Sequence, residues 1–347
     1  MIARTIPSLI DIYAARQRLL PVLRATPMLP SEWLSSIAGA DVHLKIESLQ
    51  PTHSFKIRGA LNALLKIAED ARSKGREAPC VVTASAGNHG SAVAMASARL
   101  GIRAIVFAPA SSPDTKKAAI RRHGAELRDD PPDYDAAERD ARSYAMTGDA
   151  IYLSPYNHAD IIAGAGTAAL EVLDALPALD VIVVPVGGGG LASGIAIAMK
   201  AARPHVTVIG VEVQASTPFA ASLARGSIAE IRPQPSLADG LTGNLEAGSI
   251  TFDLVRRYVD RVINVSEAEL ARAIRGLAAE EHLVAEGAGA AATAAVLARL
   301  AIDAGQSGVV MLTGANIDLA QFISVAATAE SQHGSAGFAP DAPADRR

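Results

Sequence analysis

Cysteine occurs once, at Cys80, in a chain of 347 residues. A single thiol excludes an internal disulfide and a cysteine-built zinc site. The eight histidines fall into no His-x-His or His-Glu-x-x-His spacing, so no metal is expected. Aromatic residues are scarce at 4%, and charged residues reach only 20%, against roughly 25% in an average soluble protein. Neither sign of charge dominates: 32 Lys and Arg face 36 Asp and Glu, a net charge of −4. Such a surface gives no field to hold nucleic acid or an anionic membrane, so neither is expected as a partner. Uninterrupted apolar runs of about 18 residues are also missing. The most apolar stretch, 181–199, is cut by Pro185 and four glycines. Residues 1–24 scatter Arg4, Asp11, Arg16 and Arg18 among apolar positions, unlike an export signal, so a cytoplasmic location is expected.

What remains is aliphatic. Hydrophobic residues make up 50%, much of it alanine. Mean hydropathy is +0.22. This excludes a disordered chain and implies a large core of small and branched side chains. The length suits two packed domains, since a domain usually takes about 100–200 residues. The end, 331–347, is rich in Gly, Ala, Pro, Ser and Asp and reads as a disordered tail.

From residue 80 onward, short apolar runs alternate with helical patterns. Strands are expected at 80–83, 103–108 and 151–153, with helices near 90–100, from Pro113 to His123 behind Ser112, and near 133–146. The alternation restarts at 181–186, an unalternated run suited to a strand buried on both faces, and continues at 207–211 and 309–312. Ser266 and Glu269 form a capping-box pattern ahead of a helix. The fold class is therefore α/β, with open, mostly parallel twisted sheets flanked by helices.

Ligands of such sheets sit beyond the carboxyl ends of the strands. Three strand ends carry unusual loops: Ser85-Ala86-Gly87-Asn88-His89-Gly90, Gly187-Gly188-Gly189-Gly190, and Thr313-Gly314-Ala315-Asn316. A fourth polar segment, Ser54-Phe55-Lys56-Ile57-Arg58-Gly59, opens a helix. Four glycines leave backbone N–H groups free to converge on an anion, and the helix starting near Leu191 adds its positive end, so a phosphate is the expected guest. A tight turn would need positive φ at one glycine only. The same run also fits a dinucleotide fingerprint, Gly187-x-Gly189-x-x-Ala192, with Glu212 ending the next strand as a ribose acid. A nicotinamide-dependent oxidoreductase is the alternative from that fingerprint, although Pro185 interrupts its strand.

Taken together and in order, these segments resemble the pyridoxal-phosphate enzymes of fold type II (tryptophan synthase β-like), specifically the threonine/serine dehydratase and serine racemase group. Pro155-Tyr156-Asn157, Gly164-x-Gly166-Thr167 and Ala238-Asp239-Gly240 reinforce the match, which covers about residues 20–325. The resemblance makes Lys56 the catalytic Schiff-base lysine and pyridoxal 5'-phosphate the cofactor. It places the phosphate on Gly187, Gly188, Gly189, Gly190 and Leu191, Asn88 against the cofactor's 3′ oxygen, Thr313 against the pyridine nitrogen, and Glu286 and more weakly Asn157 nearby. Ser85, Ala86, Gly87, Asn88 and His89 hold the substrate carboxylate through their backbone, while the His89 side chain reads as structural. The implied organisation is a large cofactor-binding domain of 1–79 and 156–330 around a small mobile domain of 80–155, in a homo-oligomer (dimer or tetramer).

Two departures narrow the activity. Racemase members carry a serine where this chain has Ala86, so the second-face acid is absent and elimination is favoured over racemisation. The family's cation site pairs a glutamate, here Glu212, with a nearby acid, but Ser216, Thr217 and Pro218 follow instead. The expected activity is an ammonia-lyase acting on threonine, serine or a relative such as 3-hydroxyaspartate. Residues 241–246 depart from the racemase pattern, which leaves the hydroxyectoine-utilisation branch open. About 30 residues follow Asn316, too few for a regulatory domain.

Overall fold

A computed structural model describes residues 6–148 and 150–327. The expected tail at 331–347, and the last residues assigned to the large domain, lie outside the described residues. The chain enters through helix α1 (Leu9–Leu19), strand β1 (Met28–Pro30), helix α2 (Glu32–Ala38) and strand β2 (Asp41–Ile46). The long helix α3 (Lys56–Ser73) leads into β3 (Cys80–Ala84), α4 (Asn88–Leu100), β4 (Ala104–Phe107), α5 (Asp114–Arg122), β5 (Glu126–Arg128), α6 (Tyr134–Met146) and β6 (Ala150–Tyr152). It continues through α7 (Ala159–Ala175), β7 (Val181–Pro185), α8 (Gly190–Ala202), β8 (Thr207–Val213), α9 (Pro218–Arg225) and α10 (Ile250–Tyr258). Strand β9 (Arg261–Val265), helices α11 (Glu267–Glu280) and α12 (Gly287–Leu297), strand β10 (Ser307–Leu312) and helix α13 (Leu319–Ala327) complete it.

Two sheets result. A six-stranded sheet runs β1-β2-β10-β7-β8-β9 and is parallel except where β1 meets β2. A four-stranded sheet runs β5-β4-β3-β6 and is parallel throughout. The apolar runs read from the sequence fall on β3, β4, β7, β8 and β10. Every residue of β7 is buried because helices cover both of its faces. Its side chains divide by period two: Val181 and Val183 join Ile274, Leu277 and Ala291 on one face, while Ile182 and Val184 join Ile162, Ile195 and Leu254 on the other. Each such aliphatic side chain contributes about 1.5–3 kcal/mol on burial. Helix α12 is buried along its whole length, and its run of alanine and glycine lets it lie close against β10.

Some boundaries moved. Pro113 caps α5 from outside, at φ −55° and ψ 137°, so the helix begins at Asp114 and Ser112 is not its cap. Helix α4 starts at Asn88, two residues before the expected place, because Gly87 is its cap. The Ser266–Glu269 capping box forms as read. Strands β3, β7 and β10 all end at the loops singled out above. The segment before α3 is tied to the loop after β10 through Ser54 and Phe55.

Candidate active site

Lys56 begins α3 and is fixed from two sides. Ser54 pairs with Gly314 in an isolated bridge, and the Phe55 N–H donates to the Thr313 carbonyl at 3.0 Å. The Lys56 backbone N–H donates to Ser54 Oγ at 3.2 Å. Two residues on, the buried Arg58 guanidinium forks between Glu47 and Glu171. The Lys56 amine donates to the Pro155 carbonyl at 3.0 Å and lies 5.2 Å from the centre of the Phe55 ring. Burial lowers its pKa to about 8, with Glu286 pulling the other way. An amine so placed is readily deprotonated near neutral pH, as a lysine nucleophile or base requires.

Asn88, Glu286 and Asn316 converge from three distant parts of the chain. Asn88 Nδ2 donates to Glu286 Oε1 at 2.6 Å, and Asn316 Nδ2 donates to Asn88 Oδ1 at 2.7 Å. Burial raises the Glu286 carboxyl to about 7, against the lowering effect of the Asn88 bond. Thr313 is buried, and its hydroxyl reaches the Ala288 carbonyl only at 3.4 Å, a bond too long to commit it.

Ser85, Ala86 and Gly87 turn the chain from β3 into α4, with the Gly87 N–H on Ser85 Oγ at 3.2 Å. The His89 side chain points away from solvent, only 2% of the residue being exposed. Its Nε2 faces the Leu153 carbonyl at 3.3 Å and therefore carries the hydrogen. Burial, with the Lys56 charge adding to it, lowers the ring's pKa to about 3. His89 is a neutral strut between α4 and the segment after β6, and only its backbone belongs to the helix N-terminus.

The glycine loop follows β7. Gly189 sits at φ +83°, the one position that demands glycine conformationally. Gly188 has a different reason: a Cβ there would lie inside the Tyr156 ring. Packing thus accounts for part of the run that the sequence alone assigned to phosphate. The N–H groups of Gly187, Gly188 and Gly189 donate to no other described residue. Together with the open first turn of α8, from Gly190 and Leu191, they form a cluster of free donors at a positive helix end.

The dinucleotide alternative fails on Glu212. Its carboxylate is fully buried and accepts the N–H groups of Phe219 and Ala220, at 2.7 and 2.9 Å, capping α9. Burial raises that carboxyl to about 7. Both oxygens face the start of α9 and none of the residue is exposed, so Glu212 acts as a helix cap and is not presented to a ribose. Asn157 is engaged by protein on both atoms, donating to Glu246 at 2.7 Å and accepting from the Ile250 N–H at 3.0 Å. Among the described residues, no group of three or more His, Cys, Asp or Glu could hold a metal ion.

The family model described as "Pyridoxal-phosphate dependent enzyme" matches residues 19–314. The chain belongs to that family. Its relatives include an L-threonine ammonia-lyase of Thermotoga maritima, 41% identical over 310 residues, which are 89% of this chain and 75% of that one. A catabolic L-threonine dehydratase of Staphylococcus aureus is 35% identical over 90% of each chain. Among solved structures, a T.th. threonine deaminase aligns with TM-score 0.79 and 38% identity, covering 90% of this chain and 99% of that one. Maize serine racemase aligns with TM-score 0.84 and 30% identity, covering 92% and 97%. The residues on hand fit the family's cofactor: a lysine amine close to its neutral form, free N–H donors for a phosphate, and an uncommitted hydroxyl at Thr313.

Three elements escaped sequence reasoning. Glu47 and Glu171, which hold Arg58, carry no motif. Tyr156 was read only as part of a match, yet its ring forms the wall against the glycine loop. Glu246 gathers Ser154, Asn157 and Arg142.

Proposed function

We propose that the protein is an ammonia-lyase that eliminates the β-hydroxyl of threonine, serine or a related β-hydroxy amino acid, giving a 2-oxo acid and ammonia. The observation that carries this reading is the partly buried Lys56 amine, held on the Pro155 carbonyl at 3.0 Å and lowered by burial to a pKa of about 8. The names of the threonine ammonia-lyase and dehydratase relatives support it. Lys56 would hold the cofactor through Nζ, and the same amine would serve as the base that accepts the substrate's α-proton. Pyridoxal phosphate, when bound, supplies the electron sink that acidifies the Cα–H bond. The N–H groups of Gly187, Gly188, Gly189, Gly190 and Leu191 would hold its phosphate. Asn88 would face its 3′ oxygen, with Glu286 nearby. The Thr313 hydroxyl would serve the ring nitrogen without forcing a proton on it, which would favour prompt loss of the β-hydroxyl. The backbone of Ser85, Ala86, Gly87, Asn88 and His89 receives the substrate carboxylate at the start of α4. Loss of the α-proton and the hydroxyl leaves an enamine, which water converts to the 2-oxo acid and ammonia.

The four-stranded lobe acts as the smaller, closing domain in this reading, and the active form is a cytoplasmic homo-oligomer. The altered 241–246 segment makes 3-hydroxyaspartate a substrate to include. Racemisation is the second reading, supported by the similarity to maize serine racemase; Ala86 speaks against it, since it cannot deliver a proton to the opposite face. Lys56→Ala should abolish both the visible absorbance of the bound cofactor and 2-oxo acid release across a panel of β-hydroxy amino acids. A yellow, active K56A overturns the assignment, and scrambled chirality in recovered serine establishes the racemase reading instead.

A further inference from the structure

Glu246 lies in the segment that sets this chain apart from the racemase pattern, and its carboxylate is only 10% exposed. One oxygen accepts Ser154 Oγ at 2.5 Å. The other accepts Asn157 Nδ2 at 2.7 Å and pairs with Arg142 of α6 at 2.8 Å. The Glu246 N–H donates to the Tyr156 hydroxyl at 2.7 Å. Ser154 Oγ in turn accepts the Asn157 N–H at 3.0 Å. Every residue of the 154–157 turn except Pro155 is thus held by Glu246, directly or through its backbone. Pro155 is the residue whose carbonyl accepts the Lys56 amine. Tyr156 is the residue whose ring covers Gly188.

We propose that Glu246 is a positioning residue: by clamping the 154–157 turn it sets the Pro155 carbonyl for Lys56 and the Tyr156 wall for the glycine loop. The proposal rests on Lys56 being the catalytic amine. The Arg142 arm makes the clamp reach into the four-stranded lobe, so the turn is held between both sheets. A charged acceptor suits the place, because three donors converge on it in a largely dry setting and charge-assisted bonds are the stronger kind. Alanine there would leave the Ser154 hydroxyl and the Asn157 amide without their Glu246 acceptor and Arg142 with Glu138 as its remaining carboxylate. A shift of about 1 Å in a positioned catalytic group costs on the order of 100-fold in rate.

Full-length Glu246→Ala and Glu246→Gln are compared with the unaltered chain by two measurements. With cofactor bound, kcat of E246A should fall on the order of 100-fold while KM stays within about threefold. In the full-length chain without cofactor, the pH at which Lys56 becomes reactive to an amine-acylating reagent, followed by peptide mass, should move downward, because the charged amine loses its carbonyl acceptor. E246Q keeps the shape and one acceptor but turns an NH2 toward Asn157 or Arg142, and should show both effects at smaller size; it decides alone if E246A does not fold. Unchanged kcat with an unchanged reactivity midpoint overturns the proposal. A loss confined to KM also overturns it, making Glu246 a substrate contact. Should the unaltered enzyme turn over no β-hydroxy amino acid, the proposed activity falls, while the Lys56 reactivity comparison still decides the role of Glu246.

Discussion

Replacing Arg58 by methionine removes the centre of a buried charge network while keeping a side chain of similar length. The guanidinium donates to both oxygens of Glu47, at 2.7 and 2.8 Å, to both oxygens of Glu171, at 2.7 and 2.9 Å, and to Thr167 at 3.2 Å. Lys45 stands 2.5 Å from Glu171 and 4.0 Å from Glu47. Two cations therefore balance two carboxylates, with Arg58, Lys45 and Glu47 exposed by 3%, 1% and 0%. Without Arg58 one carboxylate is left uncompensated in a dry site. Breaking a buried pair in this way costs about 3–5 kcal/mol. At about 2.1 cal/mol/K of unfolding entropy per residue, a chain of 347 residues loses about 1.4 °C per kcal/mol, so the loss of Tm is about 4–7 °C. Its pH dependence follows from Glu47. Burial pushes that carboxyl up, but the charge and hydrogen bonds of Arg58 outweigh it and hold the carboxyl below its ordinary value. In the unaltered protein this stabilisation is complete above the unfolded value, about 4.3, and is lost as pH falls. In R58M burial prevails, so the folded carboxyl titrates above the unfolded one and its penalty is relieved by protonation. The Tm gap between the two proteins should therefore narrow from pH 8 to pH 5, and Glu47→Gln added to R58M should recover part of the loss at pH 8. Scanning calorimetry of the full chain measures all three. A fall of less than about 3 °C, or a gap independent of pH, refutes the reasoning.

Gly188→Ala should displace the Tyr156 ring and weaken capture of pyridoxal phosphate about tenfold or more in a spectral titration, a cost of roughly 1.4 kcal/mol. Affinity equal to that of the unaltered chain would remove Tyr156 as the wall of the loop. Acid should destabilise the protein through His89: the unfolded ring binds a proton near its ordinary 6.5, while the buried one refuses it down to about 3. Stability held by the neutral ring is complete above about 6.5 and declines as pH falls below it. His89→Gln should flatten that decline in melts between pH 7 and pH 4, and an undiminished slope would assign it to other groups.

The parts of the site that were legible in the sequence are those where the backbone geometry itself is functional. A glycine at φ +83°, a glycine cap before Asn88, and a lysine two residues before a buried arginine leave local patterns in the chain. What the patterns left open was which partner each side chain takes, because partners are chosen by the tertiary fold. Glu212 could be a ribose acid, a cation ligand or a helix cap on sequence grounds; the turn that brings the Phe219 and Ala220 N–H groups onto its two oxygens settles it as a cap. Glu171 meets Arg58 across 113 positions, and Glu246 meets Ser154 across 92. No periodicity can encode such pairs, so Glu171 carries no mark in the sequence and Glu246 stands out only as part of the divergent 241–246 segment. The glycine run shows the opposite error. Its four members suggested one cause, yet Gly189 answers to φ and Gly188 to an aromatic ring arriving from residue 156. A motif therefore reports reliably that a backbone must pass close to something. Whether that something is a ligand or a neighbouring side chain is decided by the residues that pack against it: Tyr156 fills one side of the loop, and on the other the N–H groups of Gly187, Gly188 and Gly189 meet no described residue.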